Sequence, residues 1–372
     1  MDFTSLLKLM REKKASDLFI SAGVPPSMKV DGKIEPVSRN SLTAEQARGV
    51  VYGIMTPLQR RNFEKTSESN FAINLDEVGR FRVNVFRHQT QVGMVLRRIE
   101  TAIPTLEELA LPEIMQAMSM YRHGLVLVVG STGAGKTTTL AAMINHRNHS
   151  SHGHIVAIED PIEYVHKPAG CIITQREVGV DTISFETALR NTLRQSPDLI
   201  VIGEIRNRET MQQALEFAET GHLCLATLHA SNTSQAVERV ISFFPDESRS
   251  QILLDLSLNL KGVVAQRLIP DINRNGRHVA VECLLNTSLV ASHIRKGDTH
   301  SLKDIIKKSR ELGMQLLDED LFKLFQRGDI SNEDALSYAD SANELRLMIK
   351  LAEQGHSSEL SSYSSISLID KD

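Results

Sequence analysis

Leu125-Val-Leu-Val-Val129, Gly130-Ser-Thr-Gly-Ala-Gly-Lys-Thr137 and Thr138-Thr-Leu-Ala-Ala-Met-Ile144 form one continuous stretch, and the fold turns on it. Five apolar residues in a row read as a strand buried on both faces, and the Thr/Leu/Ala run after the turn reads as a helix. Between them, GSTGAGKT fits GxxxxGK[ST], whose glycines let backbone N–H groups curl around an anion at a helix N-terminus. The pattern points to the phosphates of a nucleoside triphosphate. Gly130, Ser131, Thr132, Gly133, Ala134 and Gly135 would form the cradle, and Lys136 would meet the β- and γ-phosphates. The Thr137 hydroxyl, followed by Thr138, would take a place on Mg2+. A glycine-rich turn with no ligand is the alternative, and the strand and helix on its two sides weigh against it.

Further short apolar runs at 155–158, 199–202 and 223–228 alternate with helical stretches, as in a parallel sheet with crossover helices. One of those helices is legible in detail. Met211, Ala214, Leu215 and Ala218 fall at i, i+3, i+4 and i+7, with Gly221 where a helix-terminating glycine belongs. Ligands of such sheets gather at the carboxyl ends of the strands, so the residues ending each run matter. IVAI leads into Glu159-Asp160-Pro161-Ile162-Glu163, and LIVI leads into Gly203-Glu204-Ile205-Arg206. A carboxylate there can orient water for attack on a γ-phosphate or hold the metal through its water shell. His222 and His229 bracket HLCLATLH, with Thr227 near the end of that run. A strand-end histidine is more often structural than a phosphate sensor. His146, His149, His152 and His154 invite a metal reading, but their spacing matches no zinc pattern and suits a solvated turn.

The flanking regions differ from this centre. Residues 1–100 mix strand-like DLFIS, PSMKVDG, RFRVNVF and GMVLRRI with helical stretches, which describes a small α+β domain. TAIPTLEELALPEI follows as a connection, and beyond about residue 290 the chain reads as helical. Leu317, Leu321, Leu324 and Phe325 make one stripe there, bracketed by Gly313 and Gly328. The last 18 residues hold seven serines and suit a frayed tail. The chain has 372 residues, about two and a half times a typical domain. With 41% apolar and 24% charged residues it is neither disordered nor a rod. Net charge is −4 overall, yet residues 1–100 carry 16 Lys and Arg against 11 Asp and Glu. A basic first third beside an acidic remainder suits a polyanionic ligand or two charged faces meeting in an assembly. No apolar run approaches the ~18 residues that span a bilayer, and the amphipathic start MDFTSLLKLMREKK is unlike a secretory leader. Three scattered cysteines, Cys171, Cys224 and Cys283, fit a reducing compartment, so the expected location is the cytoplasm.

GSTGAGKTTTLAAM, AIEDPIEYVH, PDLIVIGEIR and TGHLCLATLHA resemble, in order and spacing, the Walker A, Asp box, atypical Walker B and His box of the secretion ATPases. To about residue 352 the chain is similar to the PilT/PilU pilus-retraction ATPases. The resemblance implies an α/β fold: a PAS-like domain over 1–100, a linker over 101–112, and a RecA-like ATPase domain over 113–290. A helical C-terminal region over 291–354 and a disordered tail over 355–372 would follow. It implies ATP and Mg2+ as ligands, and a homohexamer at the inner-membrane base of a type IV pilus machine. The implied partners are a PilT-like ATPase and the cytoplasmic face of the platform protein, with no nucleic acid and no insertion in the membrane. Roles also carry over: Glu163 as the water-activating base, Glu204 as the Walker B acid holding metal through water, and His229 near the γ-phosphate. Arg82 and Arg97 match arginines that reach the nucleotide from the N-terminal domain; solvated residues on a sheet face are the alternative.

Two departures stand out. Asn207 follows Arg206 where the family commonly has Asp, and VASHIR at 290–295 replaces the AIRNLI-type motif. The second change, with the ending ANELRLMIKLAE, resembles the PilU branch, in which retraction generally depends on a PilT-type companion. Pilus-extension and type II secretion ATPases usually add a longer N-terminal region and a four-cysteine insert. A RecA-like translocase on nucleic acid would need a basic stripe interleaved with aromatics, which the chain lacks. A nucleotide-binding structural partner with little turnover is a further reading, opposed by the complete catalytic set.

Overall fold

The computed structural model describes residues 2–30, 32–75, 78–99 and 102–363, with side chains to 352. Asp31 of the Asp31-Gly32 turn lies outside these residues, as do 364–372 of the tail expected over 355–372; its first part, 355–363, instead continues the helix Ala342–Tyr363. The chain forms two compact units. The first comprises Met1–Ala102 with Pro161–His166 and Glu177–Ile183, and the second comprises Ile103–Asp160, Lys167–Arg176 and Ser184–Asp372.

The first unit is a six-stranded antiparallel sheet in the order β3-β2-β1-β6-β5-β4. Its strands are β1 (Asp17–Ile20), β2 (Ser27–Val30), β3 (Lys33–Pro36), β4 (Glu68–Leu75), β5 (Gly79–His88) and β6 (Gln91–Ile99). Alternation decides its faces: Phe81, Val83 and Val85 of β5 are buried while Arg80, Arg82 and Asn84 between them are not. The buried face packs on helices Phe3–Glu12, Ala44–Gly53 and Pro57–Thr66 through Leu7, Met10, Val51 and Phe63. Thr43 and Thr56 start the latter two helices with capping boxes, each closed by a glutamine three residues on.

The second unit holds a seven-stranded sheet in the order β13-β12-β7-β11-β10-β8-β9. The strands are β7 (Gly124–Val129), β8 (Gly153–Glu159), β9 (Cys171–Glu177), β10 (Leu199–Ile202), β11 (Leu223–Leu228), β12 (Leu260–Pro270) and β13 (Arg277–Leu285). The four apolar runs are β7, β8, β10 and β11, which pair in parallel, and β7, β10 and β11 are buried along their whole length. The sheet also carries an antiparallel hairpin, β12–β13, that the sequence pattern did not single out. Helix Arg208–Glu219 buries Met211, Ala214, Leu215 and Ala218 as the spacing predicts. Leu106 and Leu111 of the connecting segment sit in the core of this second unit, so the connection packs on the sheet. The C-terminal helices bury Leu317, Leu321 and Leu324, and Gly313 and Gly328 have φ of +90° and +76°. All three cysteines are buried and free.

Candidate functional site

The sheet order places the ends of β7, β11, β10 and β8 side by side, and each carries one of the expected motifs. After β7 the chain enters the phosphate loop. Gly133 and Gly135 hold φ of +79° and +85°, and Gly135 caps the helix Lys136–Ser150. These left-handed angles turn successive N–H groups to one side, which an L side chain would resist. Ser131, Thr132 and Gly133 are exposed, and the Lys136 ammonium donates to the carbonyls of Gly130 and Ser131 at 2.9 Å each. A flexible cation thus sits over the loop where an anion's charge would be met.

The loop is held from behind by β12. A side chain at Gly130 would meet the Gln266 carbonyl oxygen at 2.7 Å, and one at Gly135 would meet the Gln266 amide nitrogen at 3.1 Å. Gln266 is 1% exposed and donates through Nε2 to the Ala134 carbonyl at 2.6 Å. Nothing in the motif announces this residue, 132 positions away in sequence. The one signal is a polar Gln-Arg pair interrupting the apolar run GVVAQRLIP.

The ends of β8, β10 and β11 are laced together by backbone and small side chains. Gly203 donates its N–H to the Ile158 carbonyl at 2.8 Å, and a Cβ on Gly203 would press Glu159 Cα at 3.1 Å. Thr227 donates its hydroxyl to the Gly203 carbonyl while its own carbonyl accepts from Ile205 N–H at 2.9 Å. Glu204 is thereby fixed between two neighbours: its Oε1 lies 2.6 Å from His229 Nε2, and its Oε2 accepts from Arg206 Nε. Arg206 also reaches Asp160 Oδ2 at 3.3 Å. The hydrogen bond that Arg206 donates to Glu204 holds its guanidinium even further above neutrality than usual. Glu159 is buried and accepts from Gln175 Nε2 at 2.9 Å, a partner on β9 that the motif reading missed.

The phosphate loop, Glu159, Asp160, Glu204 and His229 therefore share one edge of one sheet. His222 does not join them. It precedes β11, at the opposite end from His229, with Nδ1 3.2 Å from the Thr220 hydroxyl. Glu163 is exposed and belongs to the segment Pro161–His166 of the first unit. Arg82 and Arg97 are directly paired across β5 and β6, and Arg97 Nε donates to the buried Asp17 carboxylate at 2.9 Å. Two like charges face to face on a sheet cost ~0.2–1 kcal/mol, and Asp17 offsets one of them. Three of the four histidines near residue 150 are spent on other contacts: His149 and His152 contact the Asn145 and Gly170 carbonyls, and His154 joins the Gln195 carbonyl to the Thr174 hydroxyl.

Asn207 caps the helix Arg208–Glu219, accepting from Thr210 N–H at 3.0 Å and donating to Glu186 at 3.2 Å. Asp and Asn cap helices about equally well, so the departure at this position leaves the helix start intact. VASHIR lies in the helix Ser288–Lys296, where Val290 and Ile294 are buried while Ser292 and Arg295 are exposed.

The residues suit a magnesium nucleotide. Among the described residues no three His, Cys, Asp or Glu side chains converge as an all-protein metal cage, and magnesium needs none. It is held through one or two hard oxygen donors together with the phosphates. The Thr137 hydroxyl and the Glu204 carboxylate are donors of that kind.

The family model for Type II/IV secretion system proteins matches residues 5–336. The type IV pilus ATPase PilU of Pseudomonas aeruginosa is 59% identical over 362 residues, 97% of this chain and 95% of that one. The chain belongs to the PilT/PilU pilus-retraction ATPase family. The retraction ATPase PilT of the same organism is 41% identical over 335 residues, 90% of this chain and 97% of that one. A crystal structure of the pilus retraction motor PilT with bound ADP is 36% identical, with 93% of this chain and 99% of that one aligned at a TM-score of 0.88. The α/β fold with an N-terminal unit, an ATPase unit and C-terminal helices is the fold of this family, and the chain is an ATPase of it. Among the described residues no helix is long and apolar enough to cross a membrane.

Proposed function

We propose that this chain is an ATP-hydrolysing subunit of a hexameric ring that assists type IV pilus retraction, in the manner of PilU beside a PilT-like ATPase. The observation that carries the reading is the shared sheet edge, where phosphate loop, Glu204 and His229 converge in a chain 59% identical to PilU over nearly its whole length. The ring would work in the cytoplasm against the platform protein at the inner-membrane base of the pilus, with no nucleic acid in the cycle.

In this mechanism the phosphate-loop N–H groups and the Lys136 ammonium bind the β- and γ-phosphates. Thr137 and, through water, Glu204 would hold magnesium, which when bound neutralises phosphate charge. Glu163 accepts a proton from the attacking water, and His229, held by Glu204, lies near the γ-phosphate and reports its presence. Glu159 and Asp160 keep the end of β8 polar beside it. Arg82 and Arg97 supply positive charge as negative charge spreads over the transferring phosphoryl group. VASHIR supports the accessory role, because the exposed positions of that helix carry residues unlike the PilT motif.

The test is purification of the full chain, with phosphate release and light-scattering mass measured with and without a PilT-like ATPase. Turnover in a six-subunit particle is expected. A particle that neither hydrolyses ATP nor assembles under either condition overturns the reading. Imaging of labelled pili addresses the accessory role: normal retraction with this chain as the sole retraction ATPase would make VASHIR a neutral replacement.

A further inference from the structure

Arg267 follows the phosphate-loop clamp Gln266 on β12, and the two side chains reach opposite parts of the second unit. Gln266 holds the Ala134 carbonyl, whereas Arg267 gathers three acceptors from two distant stretches of chain. Its Nη1 donates to the Tyr338 carbonyl, and its Nη2 donates to Asp340 Oδ1 and, at 3.3 Å, to the Ser231 carbonyl. Ser231 lies two residues after His229. The next residue, Asn232, donates to Asp340 Oδ2 at 3.4 Å and caps the helix Thr233–Ser242. Thr233 in turn donates its N–H at 2.8 Å and its hydroxyl at 2.6 Å to Glu282, which is 1% exposed.

The C-terminal side of this network is equally tied. Lys303 donates to Asp340 Oδ2 at 2.7 Å, and the Asp340 and Ser341 N–H groups donate to the Asp318 carboxylate at 2.7 and 2.9 Å. Burial opposes charge on Asp340, yet the hydrogen bond from Lys303 and the charges of Arg267 and Lys303 hold its carboxyl below the usual range. Asp340 is therefore ionised and bound on several sides. A planar guanidinium can hold a carboxylate and two carbonyls in one fixed fork, which an ammonium cannot reproduce.

Such an arrangement does more than pack a helix. Arg267 and Asp340 join the segment directly after His229 to the C-terminal helices, and the residue beside Arg267 is the one that clamps the phosphate loop. We propose that Arg267 is a positioning residue that couples the His229 segment to the C-terminal helices through Asp340. The nucleotide state sensed at His229 is thereby passed to residues 338–341. This inference rests on the reading of His229 as the residue nearest the γ-phosphate.

The test uses the full chain in two assays. In steady-state hydrolysis, Arg267→Lys and Asp340→Asn are each expected to lower kcat ~10-fold while KM for ATP stays within about 2-fold, the mark of misplacement rather than lost binding. Lys303→Met removes another partner of Asp340 but none of the His229 segment, so its kcat should stay within about 2-fold of wild type. Equal losses in all three variants would make the cluster a general support of the fold and overturn the proposal. In amide hydrogen exchange, ATPγS is expected to slow exchange at 229–232 and at 338–341 in the wild type. Arg267→Lys should keep the first effect and lose the second. Unchanged protection at 338–341 in that variant overturns the coupling. A wild-type chain with no turnover would instead overturn the hydrolysis reading, and the exchange comparison would still decide the coupling because it needs only bound nucleotide.

Discussion

The central parallel strands of the second sheet and the strands β5 and β6 of the first handle charge in opposite ways. In the second unit β7, β10 and β11 are buried from end to end, so along these three strands the charged groups of the site stand at the strand ends, while β12 carries Gln266 and Arg267 within its length. In the first unit β5 alternates, and Arg82 stands mid-strand on the face away from the core, directly opposite Arg97 of β6. A strand-end site is built by backbone: glycine angles, lacing hydrogen bonds and one clamping glutamine fix its geometry. Arg82 is placed by its strand, and Arg97 by its strand and by its hydrogen bond to the Asp17 carboxylate. The proposed mechanism divides the labour along this line, with phosphate bound by residues of the second unit and Arg82, Arg97 and Glu163 of the first proposed to act on it.

Breaking the binding half should have the largest effect. Lys136→Ala is expected to abolish phosphate release, because no other side chain of the loop brings a point charge to the β- and γ-phosphates. Turnover near that of wild type would remove the phosphate loop from the account. The arginine pair sharpens the other half. Arg82→Gln is expected to slow turnover ~10- to 10²-fold with its unit as stable as before, as for loss of a charge acting in the transition state. Arg97→Gln should slow turnover similarly and also weaken the first unit in urea unfolding, since it leaves the buried Asp17 carboxylate without its cation. Two variants with wild-type turnover would leave the arginines as features of a solvated sheet face.

The strand-end half of the site was legible because each motif is contiguous and its flanks have the correct period. The rest was not, for physical reasons. Gln266 and Arg267 act through contacts with Ala134 and Asp340 that only chain topology brings near, and a glutamine on a strand has no pattern of its own. The β12–β13 hairpin escaped because GVVAQRLIP and HVAVECLL end in no motif, and their antiparallel pairing lies outside the alternation of apolar runs and helices that marks the parallel strands. His222 and His229 look alike in sequence, and six strand residues separate them to opposite edges of the sheet.

A smaller effect concerns pH. Burial pushes His166, in the segment that clusters with the first unit, down from its usual 6.5 to about 4. Between those values the unfolded chain takes up a proton that the folded chain refuses. Stability is therefore full above pH 6.5 and falls as pH drops toward 4, by up to about 3 kcal/mol. Urea titrations across that window should show the slope in wild type and its loss in His166→Gln. A flat wild-type profile would mean that the ring is solvated. Smallest of all, Asn207→Asp should leave turnover within about 3-fold of wild type, since either residue caps the helix after Arg206. A larger change would give that position a role beyond the cap.

Glu163 tests the division most directly, because it lies in the segment that clusters with the first unit while its proposed work is on phosphate bound by the second. The measurement is equilibrium binding of a fluorescent ATP analogue beside phosphate release, on the same preparation of Glu163→Gln. The account expects binding like that of wild type and turnover reduced at least ~10²-fold, the signature of a lost general base. Weakened binding with undiminished maximal turnover would contradict it.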